Sequence, residues 1–178
     1  RRPRARPAVV ARRRLDERLG QIVILAIDLG GTKVEAALVN ADGTVLAGSR
    51  VRRATGPDID ADGLRAVIAG VVDASLAELP GDTTLQGVGI GSAGPVSLES
   101  GEVMPINMPG IGRFPLREVV AERVHRVFPG IAVRLRHDGT CIALAESWVG
   151  AARGHDSSIA MVVSTGVGAF IILSGLVV

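Results

Sequence analysis

One glycine-bearing turn between two apolar runs constrains this chain more than any other feature. Residues Ile22 to Ile27 have the length and β-branched content of a buried strand. Asp28-Leu29-Gly30-Gly31-Thr32-Lys33 follows at once, and a second apolar run, Val34 to Val39, comes next. Ala41-Asp42-Gly43 then turns the chain toward a third run, Thr44 to Ala47, and Asp-Gly is a strong hairpin signal. Paired glycines let backbone N–H groups approach an anion closely, so the first turn can form a phosphate-binding nest. Thr32 can add a hydroxyl donor, Lys33 a point charge, and Asp28 can hold hydrated Mg²⁺. A Walker P-loop is excluded, because that motif needs G-x-x-x-x-G-K-[ST] between a strand and a helix. The plain alternative is a tight hairpin with Asp28 and Lys33 as solvated flanks, and the turn alone does not separate the two.

Beyond this hairpin, Arg50 to Asp60 reads as a polar connection. Residues 62–79 show helical periodicity, with Leu64, Val67, Ile68, Val71, Val72, Leu76 and Leu79 on one face. Asp60 or Asp62 caps that helix and Pro80-Gly81 stops it. Leu85 to Ile90 is a strand running into Gly91-Ser92-Ala93-Gly94-Pro95-Val96, a tight loop or simple turn. A second amphipathic helix opens at Pro115 and ends at Pro129-Gly130. Ile131, Val133 and Leu135 alternate with polar or small residues as in a strand whose end delivers His137-Asp138. A helix over 139–151, with Ile142, Ala145, Trp148 and Val149 inward, precedes a strand from Ile159 to Val163. Ser164-Thr165-Gly166-Val167-Gly168 and the run Ala169 to Leu173 then repeat the opening pattern of strand, glycine turn and strand. The order predicts an α/β fold: a mixed sheet with helices on both faces. In such sheets ligands bind beyond the carboxyl ends of strands, where Asp28, Gly91 to Pro95, Asp138 and Thr165 all fall.

Charge is unevenly placed. Residues 1–20 hold 8 of the 20 basic and 2 of the 18 acidic residues, leaving 12 basic and 16 acidic, a net charge of −4. Residues 1–21 are therefore read as an Arg-rich disordered arm, and 22–178 as the folded domain. With aromatic residues at 2% and no Tyr, stacking platforms for nucleic acid are lacking. The single cysteine, Cys141, leaves no internal disulfide and no cysteine-rich zinc site in this chain. No apolar run reaches membrane-span length and residues 1–20 lack the apolar segment of a secretory signal, so a cytoplasmic protein without membrane contact is expected.

D-L-G-G-T-K at 28–33, G-I-G-S-A-G-P-V at 89–96, I-N-M-P-G at 106–110, H-D-G at 137–139 and S-T-G-V-G at 164–168 together resemble the ROK family. Its members are bacterial sugar kinases, including glucokinases, and sugar-responsive repressors, of the sugar-kinase, actin-like ATPase fold. The resemblance covers residues 22–178 and implies roles position by position. Asp28, Gly30, Gly31, Thr32 and Lys33 match a first phosphate loop for ATP, with Asp28 toward Mg²⁺ directly or through water. Thr165, Gly166 and Gly168 match a second phosphate loop. Gly94, Pro95, Asn107 and His137 match positions around a hexose, and Asp138 matches the catalytic base. Read without the family, Asp138 could equally cap the helix that follows it.

The match has departures. His137 stands where the family usually has Asn, Cys141 where Asn is common, and Ser164 where Gly opens the second turn; Ala169-Phe170 replaces further glycines, with Phe170 expected in the core. Relatives continue into a second domain with a Glu sugar contact, a zinc motif and the adenosine pocket, so the chain reads as an amino-terminal half. It is expected to be inactive alone, with a homo-oligomer left open for the complete protein. An ATP-dependent hexose kinase is the leading expectation. A repressor of the same family, with the arm as the remnant of a DNA-binding segment, is the second, and a degenerate fragment the third.

The arm offers arginines but no recognition helix, so only phosphate contacts are available to it. Titration against random and sugar-operon DNA should give equal, weak affinities that vanish as salt is added. A clear sequence preference would favour the repressor.

Overall fold

Strand pairing around the glycine turn builds the sheet. The computed structural model describes residues 22–56, 58–81, 83–163 and 167–178. Strands β1 (Ile22–Leu29) and β2 (Lys33–Asn40) form the opening hairpin, with Leu25 opposite Leu38 and Asp28 opposite Glu35. β3 (Val51–Ala54) adds antiparallel to β2, while β4 (Thr84–Ser92) and β7 (Val133–His137) add parallel on the other side of β1. The five-stranded order is β3-β2-β1-β4-β7. Between β4 and β7 a short hairpin projects, β5 (Val96–Ser97) with β6 (Glu102–Val103).

Helices cover both faces of this sheet. Helix α1 (Ala61–Leu76) starts where Asp60 accepts a hydrogen bond from the Gly63 N–H at 2.7 Å, the cap read from sequence. Its Leu64, Ile68, Val71 and Val72 are fully buried against Leu25, Leu29, Val34 and Leu38, and α2 (Leu116–His125) closes the same core with Leu116, Val120 and Val124. Helix α3 (Asp138–Trp148) lies on the opposite face. A second sheet, β8 (Ser158–Val163), β9 (Val167–Leu173) and β10 (Leu176–Val177), packs on α3. Among the described residues no helix is long and apolar enough to cross a membrane.

Two expectations are corrected. The third strand is Val51–Ala54, within the stretch read as a polar connection, whereas Thr44 to Ala47 makes only one bridge, Val45 to Val39. Asp42 captures the Thr44 N–H at 2.9 Å and its hydroxyl at 2.6 Å, a local turn that competes with strand pairing. Arg50 and Arg52 meanwhile bind Glu35 across the sheet and draw β3 onto β2. The second correction concerns the helix over 139–151, which spans Asp138–Trp148 with Ile142, Trp148 and Val149 over two-fifths exposed. Ile142 and Trp148 border an open cavity instead of a packed core, and Val149 lies against Gly43. The basic arm, and Ser164, Thr165 and Gly166, lie outside the described residues.

A buried polar brace holds the loop between β2 and β3. The Ser49 hydroxyl donates to the Leu46 carbonyl at 2.7 Å and accepts the Leu38 N–H at 3.0 Å, with no solvent access. Ser49→Ala leaves that buried N–H without a partner, so a loss of about 1–3 kcal/mol is expected in urea unfolding. An unchanged midpoint would show that the loop rearranges to satisfy it.

Candidate active site

The parallel register of β1, β4 and β7 brings the candidate residues to one end of the sheet. Asp28 lies beside Gly91, and Gly91 beside Arg136, on the face that α3 covers. Glycines 89 and 91 leave that face bare, and α3 approaches closely: a Cβ at Gly91 would sit 3.3 Å from the Cys141 sulfur. A cavity of about 740 Å³ opens between sheet and helix, with Ile24, Ala26, Ala145 and Trp148 along its floor and Asp28 and Asp138 sharing its lining. The two carboxylates predicted from distant parts of the chain thus come together.

The turn at Gly30-Gly31 is tight. Gly30 donates its N–H to the Lys33 carbonyl at 3.0 Å, and the Thr55 N–H at the end of β3 braces the Thr32 carbonyl at 2.9 Å. Asn107 packs over this turn: a Cβ at Gly31 would lie 2.6 Å from its Nδ2, so the contact requires glycine. The resemblance assigns Gly31 and Asn107 separate roles; the structure puts the two in contact. At the other strand end, His137 is pressed against Gly94, where a Cβ would approach its ring carbon Cδ2 to 2.9 Å. Pro95 follows through a cis peptide and lines a separate, smaller cavity with Val96 and Met104. Gly168 lies in β9 opposite Val162. Thr165 and Gly166 lie outside the described residues, so the second phosphate turn is without geometry.

Asp138 is the first residue of α3, and its Oδ1 accepts the Gly139 N–H at 2.7 Å. The His137 Nδ1 stands 2.9 Å from the same oxygen. The N-cap is His137, whose side chain also accepts the Gly139 N–H, so Asp138 is the first helical residue and not the cap. Phe170, expected in the core, instead stacks on His137 with ring centroids 5.5 Å apart. Its contact with the His137–Asp138 turn has no periodic signal in the sequence, because β9 reaches α3 only through the tertiary fold.

Negative charge is concentrated here. Partial burial raises the Asp28 carboxyl above its ordinary 3.8; the charges of Asp138 and Glu35 push the same way, and Lys33 opposes them. Glu35 itself is held low despite its desolvation, through hydrogen bonds from Arg52 and Arg50. Burial raises the Cys141 thiol, with Asp138 and Asp28 adding to the effect, which leaves it a poor nucleophile.

Mixed sheets of this topology, with a glycine turn after the first strand and a carboxylate at the parallel strand ends, define the actin-like ATPase class that sugar kinases share. The ROK family model matches residues 24–178, and the chain belongs to the ROK family. It is 31% identical to the glucokinase of Thermotoga maritima over 156 residues, 87% of this chain and 46% of that protein. Its fold is similar to the ROK glucokinase of Streptomyces griseus in complex with glucose and AMPPNP, with a TM-score of 0.69 and 30% identity over 87% of this chain and 46% of that one. It is also similar to a ROK transcriptional regulator homologous to the E. coli Mlc protein, with a TM-score of 0.69 and 26% identity over 90% and 38%. The chain thus spans less than half the length of these relatives.

The raised Asp28 carboxyl makes its ionisation a cost to the fold. Its contribution is fully present below the unfolded value of 3.8 and is lost as pH rises through the higher folded value. Asp28→Asn removes that loss. The variant should unfold at a higher temperature than wild type at pH 7, and the two should converge near about pH 3. A less stable variant at pH 7 would mean that the charged carboxylate is favoured in the fold.

Proposed function

We propose that this chain supplies the first phosphate loop and the catalytic base of an ATP-dependent hexose kinase of glucokinase type. The observation that carries the reading is the convergence of Asp138 and Asp28 on one cavity at the carboxyl ends of parallel strands, with Asn107 seated on the glycine turn. Phosphoryl transfer consists mainly of positioning and charge neutralisation, with a carboxylate accepting the attacking hydroxyl's proton. Asp138, with Oδ1 held by the Gly139 N–H, suits that role. The Gly31 backbone, the Thr32 hydroxyl and Lys33 would hold the ATP phosphates, with Gly30, whose N–H is spent on the Lys33 carbonyl, shaping the turn. Mg²⁺ fits beside them, because Asp28 sits among like charges that a divalent cation would relieve. When bound, the ion neutralises charge on the transferring phosphoryl group. Thr165, Gly166 and Gly168 would complete the phosphate site, and Gly94, Pro95, Asn107 and His137 would border the hexose.

A second reading, a sugar-responsive repressor, is supported by the likeness to the Mlc-type regulator and by the Arg-rich arm. Retention of Asp138 favours the kinase.

In the complete enzyme, Asp138→Asn keeps the shape and removes the proton acceptor. Turnover should fall by about two to four decades with sugar affinity little changed. Near-wild-type kcat would take Asp138 out of the mechanism. The 178-residue chain by itself should release no ADP in a hexose-dependent manner, because one wall of a cleft cannot hold ATP and sugar in line. Sugar-dependent turnover at ordinary enzyme rates would show that these residues suffice.

A further inference from the structure

We propose that a cavity between the β5–β6 hairpin, the end of β7 and β10 binds a small phosphate monoester, with the Arg136 guanidinium as its anchor. This cavity is separate from the one that Asp28 and Asp138 share. It has a volume of about 350 Å³ and is lined by Val96, Leu98, Arg136, His137, Thr140 and Val177. None of Asp28, Gly31, Lys33 and Asp138 lines it, and a ligand there needs no kinase chemistry.

The polar side chains of this lining are donors. Three of the described arginines are half-buried. Arg123 pairs with Asp73, and Arg117 spends its fork on the carbonyls of Leu98 and Glu99, at 2.9 Å each. Arg136 makes one hydrogen bond among the described residues, from Nη1 to the neighbouring Leu135 carbonyl at 2.8 Å, and no ion pair. Most of its N–H groups are therefore unspent, and a charge taken part-way out of water calls for a counter-ion. Thr140 adds a hydroxyl. His137 adds an N–H, because Nδ1 accepts from Gly139 and the neutral ring then carries its hydrogen on Nε2. The carboxylates nearby in sequence are engaged elsewhere: Glu102 with Arg113 and Ser100, and Asp138 Oδ1 with the Gly139 N–H. No carboxylate among the described residues lines the cavity to compete for Arg136. A fork to two oxygens and a hydroxyl to a third match the terminal oxygens of a phosphate monoester. The volume exceeds what a bare anion fills, and Val96, Leu98 and Val177 offer apolar walls to a carbon skeleton.

The test is a ³¹P NMR titration of the 178-residue chain with glucose 6-phosphate as the probe, beside inorganic phosphate and, by competition, glucose. The sugar phosphate should saturate one site, with inorganic phosphate about tenfold weaker for want of the apolar walls, and glucose should not displace it. Arg136→Gln should weaken binding about tenfold or more, the loss of a charge-assisted hydrogen bond. Arg136→Lys should weaken it less, since the charge stays and only the fork is lost. Leu98→Glu, at a half-exposed position, puts a carboxylate into the lining and should abolish binding; it reads the site even if the Arg136 variants fail to fold. Arg134→Gln, on the same strand but outside the lining, should change nothing. No saturable binding to wild type, or unchanged affinity in Leu98→Glu, would overturn the proposal. Binding lost in Lys33→Met and kept in Arg136→Gln would put the anion at the glycine turn and overturn it too. Equal affinity for the two phosphates would overturn the ester, leaving a bare anion site. The kinase reading fails separately, through an active Asp138→Asn enzyme, and neither result moves the other.

Discussion

The parallel register of β1, β4 and β7 is the constraint on which the rest depends. Once Asp28 lies beside Gly91 and Ser92 beside His137, the ends of three strands are level, and the glycine turn and the helix bearing Asp138 must start from the same edge. That register is set from below, by Leu25, Leu29, Ile90 and Leu135 buried on one face against α1 and α2. A slip of one residue would move these side chains to the open face and Asp28 into the core. Burial on one face therefore positions chemistry on the other.

The face left open is bare by composition. Gly91 carries no side chain, so Cys141 and Asp138 of α3 come close to the strand end, while Gly89 leaves the cavity open. The cost of this proximity is electrostatic, since Asp28, Glu35 and Asp138 share a small volume. Glu35 is relieved by Arg50 and Arg52, and Lys33 partly relieves Asp28. Asp28 keeps the excess. The arginines that neutralise Glu35 also bring β3 to the sheet, so one ion-pair cluster serves both fold and site.

Much of this was legible from residue order. The α1 face, its Asp60 cap, the opening hairpin and the strand ending at His137 follow from periodicity and turn chemistry, which are local. The error at Thr44 to Ala47 has a local cause too, since an Asp side chain outcompeted a short strand. The error in α3 does not. Its apolar stripe has helical spacing, but spacing cannot say whether a facing layer exists, and here the stripe meets a cavity.

By itself the sequence determined the family, the sheet's hydrophobic period and the residue types at each strand end, because glycine turns and apolar runs act through the backbone nearby. Only the tertiary structure decided which of those residues touch. Asn107 reaches Gly31 across 76 positions and Phe170 reaches His137 across 33, through the pairing of strands and the seating of β9 on α3. No local pattern encodes such contacts, because they come from closing the fold and not from the conformational preference of any one segment.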